Sequence, residues 1–150
     1  MRRIKGFTLV EMMVTIAVLA IIIGIATPSF VDMMRKNTLR SQANELLGLM
    51  HYARSEAIKR RVNVTVNLTT GTGWKAEVIQ PGTTTVLRTV DKSATSVSLT
   101  GSGTIAVVFD LRGRRISADN CFQLSYSNND RQLTVETGGS LKVASGTCGG

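Results

Sequence analysis

Apolar and polar residues are distributed along this chain in three successive patterns. From Phe7 to Thr27 the chain is almost continuously apolar, interrupted by Thr8, Glu11, Thr15 and Gly24. Those 21 residues, at about 1.5 Å each, make a helix of roughly 30 Å, the thickness of one bilayer core. Beyond Pro28 the apolar positions thin out to Leu39, Ala43, Leu46, Met50, Ala53 and Ala57. Steps of four and three place them on one face of a helix. Arg35, Lys36, Arg40, Glu45, Arg54, Glu56 and Lys59 fall mainly off that face. One helix from about Thr8 to Arg60 is therefore expected, its second half amphipathic. Pro28 lacks an amide proton and crowds the preceding turn, so a kink is expected near Gly24 to Pro28.

From Arg61 the period changes from helical to alternating. Val62, Val64, Val66 and Leu68 alternate with polar residues, the pattern of a half-buried strand. Thr70 to Gly73 reads as a turn, and Trp74, Ala76 and Val78 as the returning strand of a hairpin. Pro81-Gly82 punctuates the chain. Further strands are expected at Thr84 to Val90, Ser96 to Leu99 and Thr104 to Phe109, with Gly101-Ser102-Gly103 as a turn between the last two. Cys121 to Ser127 and Gln132 to Thr137 flank Asn128-Asn129-Asp130 as a second hairpin, and Leu141 to Val143 forms a short last strand. A spine helix followed by an antiparallel sheet is an α+β layer pairing.

The N-terminus carries the sharpest local signal. Arg2, Arg3 and Lys5 form a basic leader that ends in Gly6, and the apolar run starts immediately after it. A secretory signal places its small-residue cleavage site beyond the apolar core. Here the small residue precedes the core, so cutting after Gly6 would leave the apolar segment on the mature chain. Glu11 puts a carboxylate within that segment, which is costly in a membrane unless a cation meets it.

Gly6-Phe7-Thr8-Leu9-Val10-Glu11 resembles the class III leader motif of type IV pilins and type II secretion pseudopilins. The resemblance implies cleavage after Gly6 by a prepilin peptidase, N-methylation of Phe7, and pairing of Glu11 with a neighbouring subunit's terminal amine during assembly. It implies other pilin subunits and the inner-membrane assembly machinery as partners. It also implies a domain on the periplasmic side of the inner membrane before assembly, and a place in a pilus or pseudopilus after it. The helix-then-sheet order is similar to the minor pilins of the FimT/FimU and GspH group, which implies a type IV pilin fold with a long N-terminal helix packed on an antiparallel sheet. The expected divisions are a leader (1–6), an apolar assembly helix (7–30), an amphipathic helix (31–61) and a β domain (62–150).

Charge and chemistry add less. The formal net charge is +8, and three of those charges lie in the leader, so a processed chain keeps about +5. Arg112-Gly113-Arg114-Arg115 concentrates three guanidinium groups in one turn, with Arg131 and Lys142 as further candidates for the same surface. Arginine forks match phosphate oxygens, and glycine admits close backbone approach. A solvated basic turn, or one paired with Asp110 and Asp119, is the competing reading. Some FimT-type pilins bind DNA through a Gly-Arg-x-Arg loop during natural transformation, so the resemblance adds double-stranded DNA, gripped without sequence preference, as an expected partner. Here Gly113-Arg114-Arg115-Ile116 departs from that pattern at its fourth position. In the periplasmic compartment that the resemblance implies, Cys121 and Cys148 would form one bridge across 27 residues, worth roughly 3 kcal/mol in the chain-entropy picture. Two free thiols are the alternative.

No nucleotide-binding loop, nucleophile elbow or metal-ligand spacing is present, and His51 is the sole histidine. The residues point to no enzyme and no cofactor. Three functions remain: a minor type IV pilin that enters or primes a pilus as a structural subunit, the same subunit with DNA binding for uptake added through the arginine turn, or a type II secretion minor pseudopilin that contacts secreted or tip proteins without DNA.

Overall fold

In a computed structural model the described residues are 7–80, 82 and 85–149, without the side chain of Ser102. Gly6 and the cleavage site therefore lie outside them, as does Pro81. Helix α1 spans Leu9–Arg60 and begins where the sequence places it. Thr8 caps it: its Oγ1 accepts from the Glu11 amide at 3.2 Å and its carbonyl from the Met12 amide at 3.2 Å. Thr8 and Glu11 thus hold the spacing of a capping box, with a carboxylate in the first turn where the helix dipole favours it. Pro28 lies inside the helix without ending it.

The first part of α1 belongs to one compact unit, ending at Met34, and the rest to a second, Arg35–Gly150. In the first unit Leu9, Val10, Ile16, Leu19, Ile21, Ile25 and Phe30 are all exposed. This stretch is long and apolar enough to cross a membrane, and none of it is buried within the chain. A core helix of a soluble domain would be buried, so this face requires an apolar surround from elsewhere.

In the second unit α1 lies on one face of a seven-stranded antiparallel sheet. Its strands are β1 (Val64–Thr72), β2 (Trp74–Ile79), β3 (Val86–Lys92), β4 (Ser98–Phe109), β5 (Cys121–Tyr126), β6 (Asn129–Val135) and β7 (Leu141–Ser145). Their order is β3-β2-β1-β4-β5-β6-β7. The helical stripe behaves as its spacing requires: Leu39, Ala43, Leu46, Met50, Ala53 and Ala57 are buried. Most pack against Val64, Val66, Leu68, Trp74, Leu99, Phe109, Phe122 and Leu133 in one core. Trp74 donates from its indole N–H to Gln42 Oε1 at 2.9 Å, so the buried amide and the buried ring satisfy each other. The helix closes at Arg61, whose φ of 56° is the left-handed conformation of a C-terminal cap.

Strands β3 and β7 run two residues further than the sequence reading, to Lys92 and Ser145, and three larger differences have a physical reason in the pairing. Gly101 to Gly103 do not separate two strands. They lie inside the single strand β4, and the irregularity is absorbed by a register shift against β1 between Thr69 and Gly71. Strand β1 starts at Val64 and continues to Thr72, because Gly71 and Thr72 pair with Leu99 and Ser98 of β4. The β5–β6 loop is Ser127-Asn128, since Tyr126 already pairs with Asn129, and Ser127 takes the positive φ (56°) that a two-residue hairpin needs at its first position.

Cys121 and Cys148 are bonded, with Cα atoms 5.8 Å apart. The bridge ties the tail after β7 back to β5, two strands away in the sheet. The Cys148 amide adds a bond to Gln123 Oε1 at 3.4 Å.

Candidate functional site: the arginine turn and the basic face

The turn after β4 is organised by one carboxylate. Asp110 is buried, and its Oδ1 accepts from the backbone amides of Arg112 (2.9 Å) and Arg114 (2.8 Å). Its Oδ2 accepts from Arg114 Nε at 3.0 Å and lies 2.9 Å from Nη2. The Gly113 amide donates to the Asp110 carbonyl at 2.8 Å, closing the turn. The Arg114 amide, with burial opposing it, and then the Arg114 side chain and Arg112 amide hold the Asp110 carboxyl below its ordinary range.

Gly113 does not present open backbone to a ligand. It is buried, at φ 75°, and a Cβ there would come within 2.6 Å of Ile58 Cδ1. Its carbonyl accepts from Arg54 Nε of α1 at 2.9 Å. Gly139, at φ 80° in the β6–β7 turn, nests against the same carbonyl; a Cβ on it would lie 1.9 Å from the Gly113 oxygen. Two glycine turns and one helix arginine are thus packed together, and the glycine belongs to this joint.

The three arginines of the turn have separate fates. Arg115 Nε donates to the Val135 carbonyl at 2.8 Å. Its Nη1 donates to the carbonyls of Ser117, Ala118 (3.0 Å) and Asp119 (3.3 Å), while its amide donates to the Thr137 carbonyl at 3.1 Å. Arg115 therefore staples loop 117–119 and the end of β6 to the sheet. Arg114 is paired with Asp110 but its side chain remains about half exposed. Arg112 is exposed, and its guanidinium has no partner among the described residues.

The other two expected contributors do not join as free cations. Lys142 pairs with Glu136 at 2.9 Å. Arg131 lies four residues along β6 from Val135, roughly 13 Å at strand rise, at the opposite end of that strand from the turn. The Asp119 side chain makes no pair with the arginines; only its carbonyl does. Trp74 and Phe122 are buried, so neither offers a ring for base stacking. Neither Arg115's role nor the Gly113–Gly139 joint is visible in sequence, because the partners are backbone carbonyls and a glycine turn brought together only by the fold.

At the N-terminus, Phe7 is exposed and Glu11 is exposed in the first turn of α1. Among the described residues no group of three or more His, Cys, Asp or Glu side chains could hold a metal ion.

The chain matches two family profiles: the prokaryotic N-terminal methylation motif over residues 1–27, and type II transport protein GspH over residues 42–139. No curated protein matches it. Two crystal structures of the type IV minor pilin FimU from Pseudomonas aeruginosa are similar to it in fold. One superposes with a TM-score of 0.58 at 20% identity, covering 70% of this chain and 91% of that one. The other gives 0.59 at 22% identity, covering 73% and 90%. The GspH profile lies on the amphipathic part of α1 and on the sheet up to the Gly138-Gly139 turn, and the methylation motif lies on the exposed apolar helix. The family is one of structural pilins and pseudopilins and not of enzymes. This chain belongs to the family of the type II transport protein GspH, carries the prokaryotic N-terminal methylation motif, and has the fold of the minor pilin FimU.

Proposed function

We propose that this protein is a minor type IV pilin, cut after Gly6 by the prepilin peptidase and N-methylated on Phe7. It waits in the inner membrane with its domain on the periplasmic side, and enters or primes a pilus through α1. The observation that carries this reading is the exposed apolar face of residues 9–31, which bears a single carboxylate, Glu11, three residues after the capping Thr8. An apolar rod with no cover of its own is suited first to lipid and then to the apolar rods of other subunits. Glu11 then meets the terminal amine of a neighbour, which offsets the cost of carrying a carboxylate through an apolar surround. The test is filament incorporation. Glu11→Ala should leave the protein in the membrane fraction but deplete it at least tenfold from sheared filaments. Normal incorporation of that variant would overturn the reading.

Within this role, Arg112 and Arg114 are the contact for the phosphates of double-stranded DNA. Both are exposed at the tip of one turn, and neither is needed to bond a distant carbonyl. Gly113 and Arg115 support that turn from behind, while Lys142 is paired with Glu136 and Arg131 lies toward the other end of β6. Two arginines on phosphate would give a salt slope of about −2 in log K against log salt.

A second reading has a specific observation in its favour. The profile covering most of the domain is that of a type II transport protein. As a type II secretion pseudopilin the chain would use the same helix and contact secreted or tip proteins without DNA. Co-purification of the native protein with a secretion complex, together with no DNA retention at low salt, would select it.

A further inference from the structure

A second basic site stands at the other end of β6. A cleft of about 290 Å³ is lined by Lys36, Leu39 and Arg40 of α1, by Asn128 to Arg131 of the β5–β6 hairpin, and by Ser145 of β7. Arg131 shares a strand face with Leu133 and Val135, which are buried, so it is directed toward the helix side of the sheet. Asp130, its neighbour, is directed to the other side. There its Oδ1 accepts from Ser125 Oγ at 2.5 Å and Gln123 Nε2 at 3.2 Å. Asp130 also lines the cleft, but its carboxylate is engaged by Ser125 and Gln123 on the opposite face of the strand, and alternation directs Arg131 to the cleft side. Neither Arg40 nor Arg131 has a side-chain partner among the described residues. Two arginines without partners that line one concave site, Arg40 exposed and Arg131 half-buried, can both donate to one anion there. The Asn128 amide and the Ser145 hydroxyl add donors, which suits a tetrahedral oxyanion better than an apolar ligand.

We propose that this cleft binds the phosphate of an anionic phospholipid headgroup, with Arg40 and Arg131 donating to its oxygens. Two features favour a lipid as the source. The cleft is a single compact concavity, whereas duplex DNA presents a phosphate row that needs an extended strip of contacts. Two of its lining residues, Lys36 and Arg40, also belong to the first basic residues after the apolar run, Lys36 following Thr27 by nine positions in the sequence. Basic residues at such a junction meet the headgroup layer. The proposal rests on the reading of the apolar helix as a membrane anchor. Its consequence is that the domain is held at the bilayer surface until assembly lifts it away.

The test uses the full chain in neutral detergent, with bound lipid counted by native mass spectrometry. Phosphatidylglycerol should be retained at least tenfold over phosphatidylcholine, and Arg40→Gln/Arg131→Gln should abolish that preference while leaving the melting temperature unchanged. Equal retention by wild type and variant would overturn the proposal. So would binding of inorganic phosphate with no preference for phosphatidylglycerol, which would make this a free-phosphate site. Loss of duplex DNA binding, with lipid retention intact, would overturn it in favour of nucleic acid. Carbonate extraction of cell membranes, run in parallel, judges the anchor separately: release of the wild-type chain would strike down membrane insertion, whereas lipid counting in detergent still judges the cleft.

Discussion

The two basic sites of the domain are built in opposite ways. In the turn after β4 the arginines are adjacent in sequence, and the fold consumes most of their capacity. Arg115 is spent on four carbonyls and Arg114 is shared with Asp110 while still about half exposed, leaving Arg112 alone without a partner among the described residues. In the cleft, Arg40 and Arg131 are 91 positions apart in the chain, yet they line one concavity with both guanidinium groups unpaired. Density of charge in a sequence is therefore a poor guide to charge available for a ligand. Availability depends on which acceptors the fold brings within reach.

That contrast can be pressed hardest at the glycine joint. Gly139→Ala would place a Cβ against the Gly113 carbonyl at a positive φ, and should cost roughly 3 kcal/mol in chemical denaturation. A loss under about 0.5 kcal/mol would mean that the arginine turn is not braced from behind. Asp110→Asn should give a smaller loss that depends on pH. The folded carboxyl titrates below the unfolded value of about 3.9, so its contribution is complete above that value and is lost as pH falls through the folded one. The difference in melting temperature between wild type and variant should accordingly be full at pH 6 and shrink below about pH 4. A difference that is constant with pH would contradict the role given to the carboxylate.

Function separates the sites further. Arg112→Ala should leave stability within about 0.5 kcal/mol of wild type, as expected for an exposed side chain with no partner. It should also lower DNA affinity and reduce the salt slope by about 1 in an electrophoretic titration. An unchanged slope would remove Arg112 from the contact. Smallest of all is the expected stability effect of Arg131→Gln in the cleft, at most a few tenths of a kcal/mol and in the stabilising direction, since it relieves like-charge repulsion with Arg40. Clear destabilisation by urea would show that Arg131 has a structural partner after all.

How much of this was readable beforehand follows from the range of the forces involved. The helix from Leu9 to Arg60 and its buried stripe were legible because a 3.6-residue period is local, and Thr8 with Glu11 marks its start. The antiparallel sheet was legible from alternation at Val64, Val66 and Leu68. Its continuity through Gly101–Gly103 was not, because only pairing with β1 distinguishes a bulge from a turn. The hairpin loop starts one residue and ends two residues before the Asn128-Asn129-Asp130 run, which resembles a turn more strongly than Ser127-Asn128, because register with β5 decides the matter. At the candidate site the arginine cluster is legible in the sequence, and of the two carboxylates that its competing reading pairs with the turn, Asp110 pairs and Asp119 does not. The sequence reading assigned Gly113 to ligand approach and grouped Arg131 with the turn, because burial against Ile58 and the length of β6 are properties of the fold.

The account depends most on the claim that one arginine of the turn is scaffold and another is surface. Urea unfolding of the soluble domain, with Arg115→Ala and Arg112→Ala measured side by side, tests it directly. The structure predicts a loss of about 1–2 kcal/mol for Arg115→Ala, chiefly from the part-buried Val135 and Ser117 carbonyls left without a charged donor, and less than about 0.5 kcal/mol for Arg112→Ala. Equal losses, or a larger one for Arg112→Ala, would contradict it.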